Sequence, residues 1–473
     1  MTRDPVALEA GLTRELSGRQ LTMIAIGGAI GTGLFLGSGI SIGLAGPAVV
    51  VSYLIGAVVA FLMTLALGQM AVRHPTAGSF GVHAEIYQGP WAGYTVRWSY
   101  WLAQTIAVGE EVIASGIYAR LWFPGVPLWV FVVLFSAAIV AVNALHVGAF
   151  GTFEYWFAMI KVVAILLFIL FGVALLAGFR HAGVPGAAGY VPFAPHGASG
   201  VWLAVVMVMF SYLGTEIVAV TSGEAKDPER AVPRALRATI ARLILFYVAS
   251  MALLMGLVPW RQVGLAKSPF VQVFEMAGIP GAAWIMNLVV LTAALSSINA
   301  DLYLTTRMLF SLARGGHAPA AFGRLSRRGT PLWALGACTG GMALAVVAAK
   351  LIPQNAFVVL VGIAIFGGLY AWAQIFLTHL FFLRKTRGPS DGGTGAGGGA
   401  PTRIAWRYAG SAAGLAFMVA ILITTWWVPG FRVTLLCGIP WLLVLTIVWR
   451  SKVGRAPLDR YGAYRKPTWW QGP

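Results

Sequence analysis

The sequence predicts an all-α integral membrane protein with 12 transmembrane helices, ten of them forming a 5+5 inverted repeat and two lying at the periphery. Three observations carry this expectation. Of 473 residues, 59% are hydrophobic and only 10% are charged, a balance that no soluble domain of this length shows. Apolar runs of roughly 20 residues, enough to cross a hydrocarbon core, recur along the whole chain. Two of those runs, five apart, are interrupted at mid-depth by glycine.

With loose ends, the runs are 20–44, 47–72, 91–121, 127–145, 153–178, 198–222, 236–258, 281–312, 332–350, 355–384, 404–427 and 431–450. They use most of the chain and leave no room for a separate soluble domain. A segment 1–19 precedes them. It mixes Arg3, Arg14 and Arg19 with Asp4, Glu9 and Glu15, unlike a signal-peptide n-region, so the first span is expected to be retained. Spans 1–10 form a core, 20–384. A linker, 385–403, contains the flexible run 392–399 of glycine, alanine and threonine. Spans 11 and 12, 404–450, follow as a peripheral pair, and 451–473 is a tail. The other long connections are 73–90 and the charged 223–237.

Span 1 carries Gly27-Gly28-Ala29-Ile30-Gly31-Thr32-Gly33-Leu34-Phe35. Glycines weaken a helix at a depth where lipid offers no hydrogen bonds, so the freed backbone must meet protein or a polar cavity. Span 6 carries Phe210-Ser211-Tyr212-Leu213-Gly214-Thr215-Glu216. An odd number of helices per repeat gives the second half opposite topology, and paired interrupted spans mark a binding site at the midplane.

The net charge of +18 raises nucleic acid as a partner, but its distribution argues against it. With the N-terminus inside, only Arg120, Arg180, Arg261, Lys267, Lys350 and Arg432 fall on the outer side. Lys161 lies within a span, and the remaining 26 cations fall on the inner side. That asymmetry predicts cytoplasmic termini and contact between the inner cations and anionic headgroups. Cys338 and Cys437 lie in separate spans and imply no disulfide framework. No His/Cys/acid spacing suits a metal, no nucleophile constellation stands out, and no cofactor is expected.

In span 1, N–H groups of Thr32, Gly33 and their neighbours are expected to open a half-helix that favours an anion. The competing reading is helix packing, since Gly27/Gly31, Gly33/Gly37 and Gly39/Gly43 are GxxxG pairs. A dinucleotide fingerprint is excluded because no strand precedes the glycines. In span 6, unwound carbonyls near Phe210, Ser211 and Leu213 offer acceptors to a cation. Glu216 either orients that loop or joins a proton path. Glu110 and Glu111 sit mid-span, where a carboxylate costs about 2.5 kcal/mol or more and must face protein or a cavity. Glu111 shares a face with Gln104, Ser115 and Tyr118, and Glu110 with Ala103, Ala107, Ala114 and Ile117. The first face is more polar, which favours Glu111 as the cavity acid. Lys161 either titrates in the interior or snorkels to the headgroups. Asp301 follows Ser296, Ser297 and Asn299 and either lines a cavity or bonds between helices.

Several segments together resemble the amino-acid permeases of the amino acid–polyamine–organocation (APC) superfamily, in particular its bacterial amino acid transporter branch. They are Gly27 to Gly39 (GGAIGTGLFLGSG) with Ala45-Gly46-Pro47-Ala48, Trp98-Ser99-Tyr100-Trp101, Phe153-Glu154-Tyr155-Trp156-Phe157 with Lys161, Ser222-Gly223-Glu224-Ala225, Val232-Pro233-Arg234-Ala235, and Thr306-Arg307-Met308-Leu309-Phe310-Ser311-Leu312-Ala313. The resemblance implies a LeuT-type core and proton-coupled import of an L-amino acid across a bacterial plasma membrane by alternating access. An amino-acid exchanger without net proton coupling is the alternative. It implies that Ala29, Thr32 and Gly33 bind the substrate carboxylate and that Phe210, Ser211 and Leu213 bind its ammonium. Glu111 matches the branch's span 3 acid. Lys161 stands where sodium-driven relatives hold sodium, which implies proton coupling. The expected partners are an amino acid, protons and the bilayer, with a homo-oligomer left open. The chain departs from the family pattern at Gln69, Glu110 and Asp301.

Overall fold

Backbone N–H and C=O groups in lipid must be satisfied within their own segment, and a helix does this residue by residue. The computed structural model describes residues 17–74, 76, 78–144, 147–177, 192–220, 228–326, 329–386 and 401–453. Among these the regular elements are helical, with no strand. Among the described residues, nine helices are long and apolar enough to cross a membrane, against twelve expected runs. The other three runs fall short for separate reasons. The first is broken into α1 (Gly18–Ala29), α2 (Thr32–Phe35) and α3 (Ser38–Ala45). The fourth, α7 (Leu128–Asn143), has only 16 residues. The third, between them, is a 30-residue helix that carries Arg97, Glu110 and Glu111.

The second run is α4 (Val49–Arg73), followed by a short helix, α5 (Ser79–Tyr87), and then the third run, α6 (Pro90–Ala119). Beyond α7 come α8 (Val147–Ala177), the broken pair α9 (Gly197–Tyr212) and α10 (Ile217–Val220), and α11 (Pro228–Leu257). A short α12 (Pro269–Met276) precedes α13 (Ala282–Arg314). The chain continues through α14 (Leu332–Cys338), α15 (Gly340–Leu351), α16 (Ala356–Lys385), α17 (Pro401–Thr424) and α18 (Arg432–Val448). Two expected connections are partly helical. α5 fills much of 73–90, and α11 starts at Pro228 inside the expected loop 223–237, with proline at a first-turn position that needs no N–H. Residues 1–16, the glycine-rich run 392–399 and the tail from 454 lie outside the described residues.

α6 is the central helix and packs against α13, α15 and α16. Nearly every residue from Ala103 to Gly116 is buried. Peripheral helices show the reverse pattern. α8 exposes Trp156, Ile160, Val163, Leu167, Leu170 and Val173, a stripe at helical spacing with no protein against it. α18 exposes Leu436, Ile439, Leu443 and Ile447 in the same way. Such stripes suit hydrocarbon, because lipid is as apolar as leucine.

α5 docks on the first turns of α6 through a buried ion pair. Arg97 donates to the Glu85 carboxylate, to the Gly93 carbonyl at 3.0 Å and to His317 Nδ1 at 2.9 Å. That last contact needs a neutral ring with a free lone pair on Nδ1. Burial and the Arg97 charge push His317 well below its ordinary value, which keeps it neutral. Nearby His83 meets the His74 carbonyl at 2.9 Å, and burial pushes it down to about 4. Arg97→Ala is expected to strand Glu85 in this interior. Breaking a buried pair on one side costs about 3–5 kcal/mol. The check is the melting temperature of detergent-solubilised protein, which drops clearly if the pair locks α5 to α6 and stays put if it does not.

Candidate functional site

The first break begins where α1 ends. Ile30 has φ −90° and ψ 88°, Gly31 is extended, and α2 restarts at Thr32. A restarted helix leaves the N–H groups of its first residues without intrahelical partners. The second break follows α9. Leu213 has φ −59° and ψ 147°, and Gly214 has φ +98°, a left-handed conformation that favours glycine.

The two breaks touch. A Cβ on Gly214 would stand 2.6 Å from the Gly28 carbonyl oxygen, and one on Gly33 would stand 2.9 Å from the Cα of Ser211. Side chains here are excluded because backbone meets backbone. Tyr247, on α11, ties the breaks together. Its hydroxyl lies 2.6 Å from the Ala29 carbonyl oxygen and 2.9 Å from that of Ser211.

A small polar cavity lies between the breaks. The span 1 break contributes Ala29, Thr32 and Gly33, and the span 6 break contributes Phe210, Ser211 and Leu213. α6 adds Gln104, Ala107 and Glu111, while α13 adds Ser297 and Asp301. Seven of the expected site residues therefore share one cavity wall. Phe210 O already accepts from Leu213 N at 3.3 Å, and Ser211 O faces Tyr247. Each carbonyl has a second lone pair for a ligand.

The paired acids of α6 separate as helix geometry requires, since neighbours lie about 100° apart. Glu110 accepts a hydrogen bond from the Thr32 hydroxyl at 2.9 Å, which ties α6 to α2. Glu111 lines the cavity. Ala107, grouped with Glu110 by spacing, lines it too, because positions four apart diverge by only ~40°.

Lys161 and Glu216 lie outside that lining. Lys161 is fully buried, and its ammonium donates to the Gly27 carbonyl at 2.5 Å, so the side chain does not snorkel. Glu216 accepts from the Tyr100 hydroxyl at 2.6 Å, from Trp372 Nε1 at 3.1 Å and from the Gly214 N–H at 3.1 Å. This carboxylate clamps the second break onto α6 and α16. Glu154 is buried beside Gly27 and accepts from Ser296 at 2.7 Å and Asn299 at 3.3 Å, while Asn299 accepts from Asn143 at 2.8 Å. Tyr247 and Trp372 carry no signal in the sequence, because an aromatic residue in an apolar run resembles any other core residue, and Tyr100 stands in the Trp98–Trp101 segment with nothing to mark its contact with Glu216. Glu154 carried a usable signal, an acid two turns before Lys161 on one helix face.

Membrane-crossing helices with two mutually facing breaks around an inner polar cavity define a multi-pass carrier of small polar solutes. The chain belongs to the amino acid permease family of the APC superfamily, whose model matches residues 20–459. It is a transporter by family, not an enzyme. It is 44% identical to the gamma-aminobutyric acid permease of Bacillus subtilis over 75% of this chain and 76% of that protein. It is 38% identical to the uncharacterized amino acid permease YtnA of the same organism, over 93% of this chain and 95% of the relative. The aromatic amino acid transport protein AroP of Escherichia coli K12 is 38% identical over 94% of this chain and 97% of its own.

Proposed function

We propose that the protein imports an L-amino acid across the bacterial plasma membrane by alternating access, driven by protons. Its 12 spans are read as a LeuT-type 5+5 inverted repeat with two peripheral helices and both termini in the cytoplasm. The observation that carries this reading is the meeting of the two breaks at one cavity. A zwitterion presents one negative and one positive end. The N–H groups at Thr32 and Gly33, beside Ala29, suit its carboxylate, and the carbonyls at Phe210, Ser211 and Leu213 suit its ammonium. Relatives named for gamma-aminobutyric acid and for aromatic amino acids support an amino acid as cargo.

Lys161 is the proposed proton carrier. Its ammonium holds the Gly27 carbonyl just ahead of the break, so gaining or losing a proton changes the grip on α1. Of the two roles open to Glu216, loop orientation and a proton path, its three donors favour positioning of the span 6 loop. In empty proteoliposomes, an imposed inward proton gradient is expected to drive accumulation of radiolabelled amino acid. Uptake that requires internal amino acid and ignores the gradient supports the exchanger instead. Failure to move any amino acid under either condition removes the transport reading.

A further inference from the structure

Five carboxyl groups are buried around the breaks: Glu110, Glu111, Glu154, Glu216 and Asp301. Their partners divide them. Glu110 has the Thr32 hydroxyl, Glu154 has Ser296 and Asn299, and Glu216 has three donors. Glu110 Oε2, Glu111 Oε2 and Asp301 Oδ1 have no hydrogen-bond partner among the described residues, and of these three acids only Glu111 and Asp301 line the cavity, at 5% and 6% exposure. A buried carboxylate oxygen without a donor is costly, and the cost is offset when a ligand brings a donor or a positive charge.

A neutral amino acid does not supply enough. Its one ammonium and one carboxylate are both met by the broken backbone, which leaves two acids facing the remaining space. Lys161 is close enough to act on both acids through its charge, but its ammonium donates to Gly27 and does not line the cavity, so it supplies neither acid with a donor inside it. Asp301 lies four residues beyond Ser297 on α13, about 6 Å further along the helix. Ser297 and Glu111 both face Gly31, at the level of the first break. The two acids thus line one cavity, with Asp301 about one helical turn beyond the level of Ser297 and Glu111.

We propose that Glu111 and Asp301 form a second cation subsite, and that the substrate is an amino acid whose side chain carries an ammonium or guanidinium group. This rests on the amino-acid transport reading above and narrows it to a substrate class. Asp301 recognises the distal cation, and Glu111 lies between it and the backbone-binding end.

The test compares matched ligands on purified full-length protein in proteoliposomes. Arginine is set against citrulline, and lysine against norleucine, each as a competitor of labelled-substrate uptake and as a ligand in thermal-shift titration. In each pair the cation is expected to bind at least ~10-fold more tightly, the effect of one charge-assisted hydrogen bond. Equal or tighter binding of citrulline and norleucine overturns the subsite while leaving amino-acid transport standing. If no amino acid of either kind binds or moves, the underlying reading falls with it. Asp301→Asn is expected to cut the arginine-to-citrulline preference by about tenfold. An unchanged preference in a folded Asp301→Asn protein overturns the role of Asp301. The wild-type comparison decides the substrate class even if that variant does not fold.

Discussion

Lys161→Ala is expected to abolish accumulation driven by a proton gradient, bringing uptake down to that of vesicles without protein. The side chain is fully buried on α8, and its ammonium donates a hydrogen bond to the Gly27 carbonyl. That carbonyl belongs to the last turn before the first break, so the ammonium holds backbone whose geometry defines the cavity. Alanine removes both the titrating group and the grip on α1. Lys161→Arg separates these two effects. Its guanidinium keeps a donor and a charge but does not release a proton in a protein. Both variants are expected to lose gradient-driven uptake, while Lys161→Arg keeps substrate binding better than Lys161→Ala. Counterflow exchange at equal pH on both sides reports whether either variant still carries substrate. A wild-type dependence of uptake on the proton gradient in Lys161→Ala would remove the lysine from the mechanism.

The features most legible in the sequence were those with a strong physical cost. Glycines inside an apolar run named both breaks, because a weakened helix in lipid needs another source of hydrogen bonds. The structure places those breaks at Ile30–Gly31 and Leu213–Gly214. Buried acids were legible for the same reason, and the 100° step between neighbours was enough to favour Glu111 over Glu110 as the cavity acid. What local spacing does not encode is which distant side chain meets a given group. Spacing alone therefore does not separate an orienting from a proton-carrying role for Glu216, since Tyr100 and Trp372 reach it from helices far away in sequence. Tyr247 is a sharper case. It joins the carbonyls of two breaks that are about 180 residues apart, yet nothing in Ile244 to Val248 sets it apart from packing. The ion pair of Glu85 with Arg97 was missed because α5 was expected to be a connection, and its helical form depends on docking against α6.

Gly33→Val is expected to eliminate substrate binding in a protein that still inserts. Gly33 opens toward the second break at a close approach of the two interrupted helices. A Cβ there would meet the Cα of Ser211 at 2.9 Å, the Phe210 ring at 3.2 Å and the Ser211 nitrogen at 3.2 Å. Two of those three atoms are backbone, which cannot swing aside like the end of a long side chain. Valine adds two methyl groups beyond that Cβ, in the space between the Thr32–Gly33 N–H groups and the Phe210–Ser211 carbonyls. Overpacking of this kind costs about 1–3 kcal/mol, and placed wholly on binding that is roughly a 5- to 150-fold loss of affinity. The loss should exceed this estimate, because pushing the breaks apart also separates the two ends that must grip one zwitterion. Gly33→Ala should fall between wild type and valine, with the backbone shifting by a few tenths of an ångström to admit one methyl. Isothermal titration of both variants, alongside size-exclusion profiles that establish folding, tests this ordering. A Gly33→Val protein that folds and binds substrate with wild-type affinity would show that the ligand does not sit between the two breaks.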